Sequence, residues 1–241
     1  CPQRDERLGW TGDAQVFAPA ACYNFDCAAF YNKYLQDVRD AQFENGAYPV
    51  VAPQVAGMGG GVNAWGDAGV IVPWVVYQRY GDLALLAEHF DSMTAWIEFQ
   101  RQNSDGLIRP DNGFGDWLSV GADTPKPVMN TAYFAYTTRL VSEMARLLGR
   151  DADAERYATL YEEIRKAFLD KFVQPDGTIH GDTQAVYVLA LKFDLLPESL
   201  RTAAADKLVE RIAEKEMHLS TGFVGTGHLN NVLTETGHTD V

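Results

Sequence analysis

The feature that most constrains this chain is an alternation of two kinds of connection between segments of helical periodicity. The short ones pair a glycine with a capping residue: Gly81-Asp82, Gly149 to Asp153, and Gly237 to Asp240. Glycine supplies the left-handed turn that ends a helix, and aspartate or threonine caps the next one. The long ones, over 45–64 and 103–129, are rich in glycine, proline and aromatic residues. Antiparallel helix pairs produce this rhythm when every short turn lies at one end and every long loop at the other. The long loops then gather on one face, where function usually sits. An α/α toroid or solenoid is expected.

Apolar spacing places the elements. Val16, Phe17, Ala20, Phe30, Tyr31, Tyr34, Leu35 and Val38 mark helix between Ala14 and about Gln42, with Asp13 as N-cap and a break at Pro19. Further helices are predicted over 67–80 (interrupted by Pro73), 83–102, 130–148, from Asp151 or Asp153 to 172, and over 183–193. The last two run from Pro197-Glu198-Ser199 to Met217 and over 226–236. That makes about nine helices and no convincing alternating strand. A chain of 241 residues, 46% of them hydrophobic, can bury one large core or two small ones.

The formal net charge is −13, from 33 acidic and 20 basic residues. Such a surface repels phosphates, so neither nucleic acid nor anionic membrane is expected as a partner. No run of about eighteen apolar residues is present to span a bilayer. Cys1, Cys22 and Cys27 give neither a disulfide framework nor a common zinc spacing, and the cellular compartment stays open. With no initiator Met, and with a beginning in mid-motif at Cys1, the chain reads as a piece of something larger.

Chemistry points to three loops. Residues 1–13 crowd Arg4, Asp5, Glu6, Arg7, Trp10 and Asp13 into a stretch broken by Gly9 and Gly12, and charge that dense does not pack unpaired in an apolar core. Ala64-Trp65-Gly66-Asp67-Ala68 and Phe114-Gly115-Asp116-Trp117 repeat the pairing of carboxylate and indole beside glycine. Indole faces stack on the C–H side of sugar rings, and carboxylates accept hydrogen bonds from paired hydroxyls. Glycosidic cleavage also needs a proton donor and a second carboxylate. For Asp67 a helix-capping role, with Trp65 packed over it, competes evenly with a site role. Metalloprotease, nucleophile-elbow and phosphate-loop motifs are absent. Gly222-Phe-Val-Gly-Thr-Gly227 follows no predicted strand, and 105–113 lacks the EF-hand spacing. Neither a metal nor a cofactor is called for.

The run Cys-Pro-Gln-Arg-Asp-Glu-Arg-Leu-Gly-Trp-Thr-Gly-Asp at 1–13 resembles the signature of bacterial α-L-rhamnosidases, glycoside hydrolase family 78. Ala-Trp-Gly-Asp-Ala at 64–68, Gly-Asp-Trp at 115–117 and Ser-Thr-Gly-Phe at 220–223 resemble further blocks of that family, in the expected order. The resemblance implies an (α/α)6 barrel of six helical hairpins and hydrolysis of terminal α-L-rhamnose with inversion. By motif position Glu6 matches the general acid, and Trp10 and Asp13 match residues that contact the sugar. Arg4, Asp5, Trp65, Asp67, Asp116 and Trp117 complete the expected substrate-binding set. The partner implied is a rhamnose-containing glycoside or polysaccharide. The family's general base lies near a Trp-Glu-Arg-Trp type segment, which does not occur by Val241. Residues 1–241 are therefore expected to form an incomplete barrel, roughly the first two thirds of a catalytic domain. The alternatives are an (α/α)6 glycosidase of different sugar specificity and a catalytically silent carbohydrate-binding relative.

Overall fold

The computed structural model describes residues 7–55 and 57–241. Among them are nine α-helices: α1 Thr11–Asn24, α2 Ala28–Asp40, α3 Ala68–Tyr80, α4 Leu83–Gln102, α5 Lys126–Leu147, α6 Asp151–Phe172, α7 Gln184–Lys192, α8 Glu198–Ala213 and α9 Phe223–Glu235. Extended pairing among the described residues is confined to isolated bridges such as Trp10 with Val51. None of these helices is long and apolar enough to cross a membrane. The chain is all-α, as the rhythm of turns requires. It divides into two compact units, Cys1–Ser104 with Tyr136–Tyr161, and Asp105–Ala135 with Glu162–Val241.

In the first unit the α3–α4 hairpin follows directly from Gly81-Asp82. Gly81 closes α3 at φ 72°, its N–H donating to the Tyr77 carbonyl, and Asp82 accepts from the Leu85 N–H at 3.0 Å. A cap of that kind contributes about 1 kcal/mol. Pro73 does not interrupt α3. Its missing hydrogen bond costs about 3 kcal/mol, but Val70, Val72 and Val76 are buried around it, at about 1.5–3 kcal/mol each. Packing wins. Pro19 likewise lies inside an unbroken α1, with its ring exposed on the outer side of the helix. The break between α1 and α2 comes instead at Phe25, whose backbone is extended.

Asp13 is not the N-cap. Thr11 is pinned to the 49–51 segment, its N–H donating to Val50 O at 2.9 Å and its hydroxyl to Pro49 O and Val50 O. The helix therefore starts earlier, from Trp10, and Asp13 falls in the first turn, where the helix dipole favours a negative charge. The core of this unit joins Ala18 and Ala21 of α1, Tyr31 and Leu35 of α2, Ala68, Val72 and Val76 of α3, and Leu85 of α4.

In the second unit α7 is buried on every side from Gln184 to Leu191, the mark of an inner helix. It packs against α8 and α9, whose Ala204, Leu208, Val224 and Val232 are buried, and Phe168 and Phe172 of α6 are buried in the same unit. The start of α5 lies at Lys126, ahead of the expected Asn130, because Pro127 is tolerated within a first turn.

His228 of α9 stacks edge-on against Phe193 at 5.6 Å. Burial lowers its pKa to about 4, and Lys192 adds to the effect while Glu235 opposes it. A histidine depressed in the folded state stabilises the fold above its ordinary value near 6.5, and that contribution is lost as pH falls toward 4. Since the ring is only half-buried, the loss is expected to be on the order of 2 kcal/mol. His228→Leu should flatten this limb. Urea unfolding at pH 7 and pH 4.5 checks it, and an unchanged pH dependence would refute the assignment.

Candidate functional site

The expected site residues fall into two groups, one in each unit. Arg4, Asp5 and Glu6 lie outside the described residues. In the first unit the start of α1, which carries Trp10 and Asp13, meets the 64–67 loop through Gly12 and Gln15. Gly12 sits flat against the Trp65 indole, where a β-carbon would stand 2.8 Å from the ring. Only glycine permits that approach. Gln15 adds a bond from its side-chain amide to Ala64 O at 3.3 Å. Trp10 also lines a 620 Å³ cavity with Phe17, Tyr31, Tyr34 and Pro53.

Trp65 and Asp67 are both inside the protein, with 3% and 0% of their surface exposed. Asp67 does not cap α3 with its side chain. Its carboxylate accepts from the Ala64 N–H at 2.6 Å, the Trp96 indole N–H at 2.9 Å and the Asn63 amide at 3.3 Å. Asn63 donates in turn to Gln100, and Gln100 to Thr137. Ala64, at φ 64°, is held in the left-handed region that a non-glycine residue rarely adopts. Asp67 thus braces a strained turn from within.

In the second unit Gly115-Asp116-Trp117 and Ser220-Thr221-Gly222-Phe223 are one structure. α9 begins at Phe223, three residues ahead of the expected Thr226, and its N-cap is Gly222, which has no side chain to offer. Asp116 supplies the cap from far away in sequence. Its carboxylate accepts from the backbone N–H groups of Gly222 at 2.6 Å, Val224 at 3.1 Å and Gly225 at 3.0 Å. The Trp117 carbonyl accepts from Phe223 N–H at 2.9 Å. All four N–H groups that a helix start leaves unpaired are therefore satisfied by residues 116 and 117. Gly222 is required there, since a β-carbon would fall 2.3 Å from Asp116 O and 2.4 Å from Trp117 O. Burial raises the Asp116 pKa above the usual carboxylate value, and the three N–H bonds oppose that.

The segment before α9 is fastened by a residue that sequence reasoning missed. Gln184, buried at the start of α7, accepts from Ser220 N–H at 2.8 Å and donates to the carbonyls of His218 and Arg211. Ser220 O then accepts from Val120 N–H at 3.2 Å. A glutamine at a helix start carries no local signal of this; its partners follow it by 27–36 residues. The outcome is a loop whose backbone is tied down while Trp117 keeps 52% of its surface exposed. Phe114 packs against that indole edge-on at 6.4 Å.

A fixed, exposed indole backed by a carboxylate suits a sugar ring. Comparison with known proteins gives that chemistry a family. The model of the bacterial alpha-L-rhamnosidase 6 hairpin glycosidase domain matches residues 1–241. An alpha-L-rhamnosidase of Streptomyces avermitilis is 54% identical over 240 residues, covering 100% of this chain and 23% of that protein. One from Formosa agariphila is 40% identical over 250 residues, covering 100% and 27%. The crystal structure of the S. avermitilis enzyme complexed with L-rhamnose superimposes with a TM-score of 0.97 over 99% of this chain and 23% of that one. The alpha-L-rhamnosidase structure from Dictyoglumus thermophilum gives 0.93 at 37% identity, covering 99% and 28%. The chain thus spans about a quarter of the length of these relatives. It belongs to the bacterial α-L-rhamnosidase six-hairpin glycosidase family, and its nine helices are part of that family's all-α toroid.

Proposed function

We propose that the protein is a glycoside hydrolase that removes terminal α-L-rhamnose from rhamnose-containing glycosides or polysaccharides, with inversion at the anomeric carbon. Glu6 is the general acid. Arg4, Asp5, Trp10, Asp13 and Trp117 meet the sugar, while Trp65, Asp67 and Asp116 shape the loops that present them. The observation carrying this reading is the match, along the whole chain and at 54% identity, to an enzyme whose structure holds L-rhamnose. An inverting mechanism needs a second carboxylate about 6.5–9.5 Å from the acid, with room for a water between them. We place that base outside residues 1–241, so this chain provides the acid half of the site.

Glu6 must hold a proton near neutral pH to serve as the acid. The test is a panel of aryl glycosides offered to the full-length protein. Cleavage of the α-L-rhamnoside, with the α- and β-glucosides left at background, is expected. Cleavage of a glucoside but not the rhamnoside would replace the reading by another (α/α)6 glycosidase. Rhamnose binding without any cleavage would replace it by a sugar-binding relative.

A further inference from the structure

We infer that Asp116 is a positioning residue for Trp117: by capping α9 it fixes the exposed indole as a rigid face for the substrate sugar. This rests on the reading of Trp117 as a sugar contact. The geometry is specific. Oδ1 takes the Val224 and Gly225 N–H groups and Oδ2 takes Gly222, so three of the four acceptor positions of the carboxylate are spent on backbone. Asp116 is only 6% exposed, whereas its neighbour Trp117 is 52% exposed. The carboxylate faces inward and the indole outward.

Its strength comes from charge meeting a helix start. Four N–H groups at the positive end of α9 are all accepted by an anion and a carbonyl one residue apart. The next residue, Leu118, is held at φ 63°, and Val120 N–H ties the far side of the turn to Ser220 O. Trp117 is therefore flanked by fixed backbone on both sides, and an indole on fixed backbone loses little freedom when a sugar stacks on it. No local residue can replace the cap, because Gly222 has no side chain and a larger residue there would strike the two carbonyls.

The test uses Asp116→Asn in the full-length protein. Asparagine keeps the shape but puts an N–H₂ where one carboxylate oxygen was, facing a backbone N–H. Amide exchange over residues 220–226 should accelerate at least tenfold, and acrylamide should quench the Trp117 emission more strongly, read as the difference from Trp117→Phe. KM for an aryl α-L-rhamnoside should rise about tenfold with a smaller change in kcat. Because Asp116 acts through Trp117, the double variant with Trp117→Ala should lose no more than Trp117→Ala alone. Phe223→Pro provides a second variant. Proline fits the first helical position, but it removes the donor to Trp117 O and sets its Cδ against that oxygen, so Trp117 should be pushed loose with Asp116 intact.

If Asp116 instead met the sugar directly, Asp116→Asn would weaken binding with unchanged exchange and quenching, and its loss would add to that of Trp117→Ala. Either result overturns the proposal. Should the wild-type protein not act on rhamnosides, the exchange and quenching arms still decide whether Asp116 holds Trp117, and only the proposed function falls.

Discussion

Glu6→Gln is expected to lower kcat on an aryl α-L-rhamnoside with a poor leaving group by roughly 10²–10⁴-fold, the usual contribution of a positioned proton donor. With a good leaving group, such as a dinitrophenolate, the loss should shrink sharply, because the departing oxygen no longer needs a proton. The dependence on leaving group separates an acid from a residue that merely binds the sugar, whose loss would cost both substrates alike. Steady-state kinetics of the two aryl rhamnosides measures it. Unchanged turnover of the poor leaving group would remove Glu6 from the acid role.

The largest stability effect is expected at Asp67. Asp67→Ala strips the acceptor from the Ala64 N–H and the Trp96 indole N–H, both buried, and frees the Asn63 amide. Each buried donor left without a partner costs about 1–3 kcal/mol, so a total of roughly 3–5 kcal/mol is expected. Ala64 would then have less to hold it at its left-handed φ of 64°. Urea unfolding at pH 7 reads the difference; a loss below about 1 kcal/mol would mean that the network does not brace the turn. Trp65 depends on the same turn, so Trp fluorescence should shift together with stability.

The parts of this fold that were legible in the sequence are those set by neighbouring residues. Gly81-Asp82 stops one helix and caps the next with its own atoms, and nothing distant competes. The prolines misled because propensity is local while packing is not: Pro73 sits among buried valines, and Pro19 faces water. Asp13 looked like a cap because the bridge between Trp10 and Val51, which starts α1 earlier, joins residues 41 apart. The same limit hid the beginning of α9, whose cap is Asp116 rather than anything beside Gly222.

Trp65-Gly66-Asp67 and Gly115-Asp116-Trp117 carry nearly the same local composition, which suits a sugar site in both and leaves a helix cap equally open for Asp67. Both carboxylates turned out to bind backbone N–H groups. The tryptophans differ: Trp65 is covered where Gly12 lies against its ring, and Trp117 stays open. Composition identified two loops with a common chemistry, and it carries no information on how far each indole is covered. That two motifs resembling separate family blocks, at 115–117 and 220–223, form a single clamp is visible only in three dimensions.

Inverting hydrolysis of an α-L-rhamnoside is the central claim made for this protein. Proton NMR of the anomeric region, recorded within the first minutes of turnover of an aryl α-L-rhamnoside by the full-length protein, tests this most directly. β-L-rhamnose should appear first and then mutarotate toward the equilibrium mixture. Initial appearance of the α anomer, or release of no rhamnose at all, would contradict it.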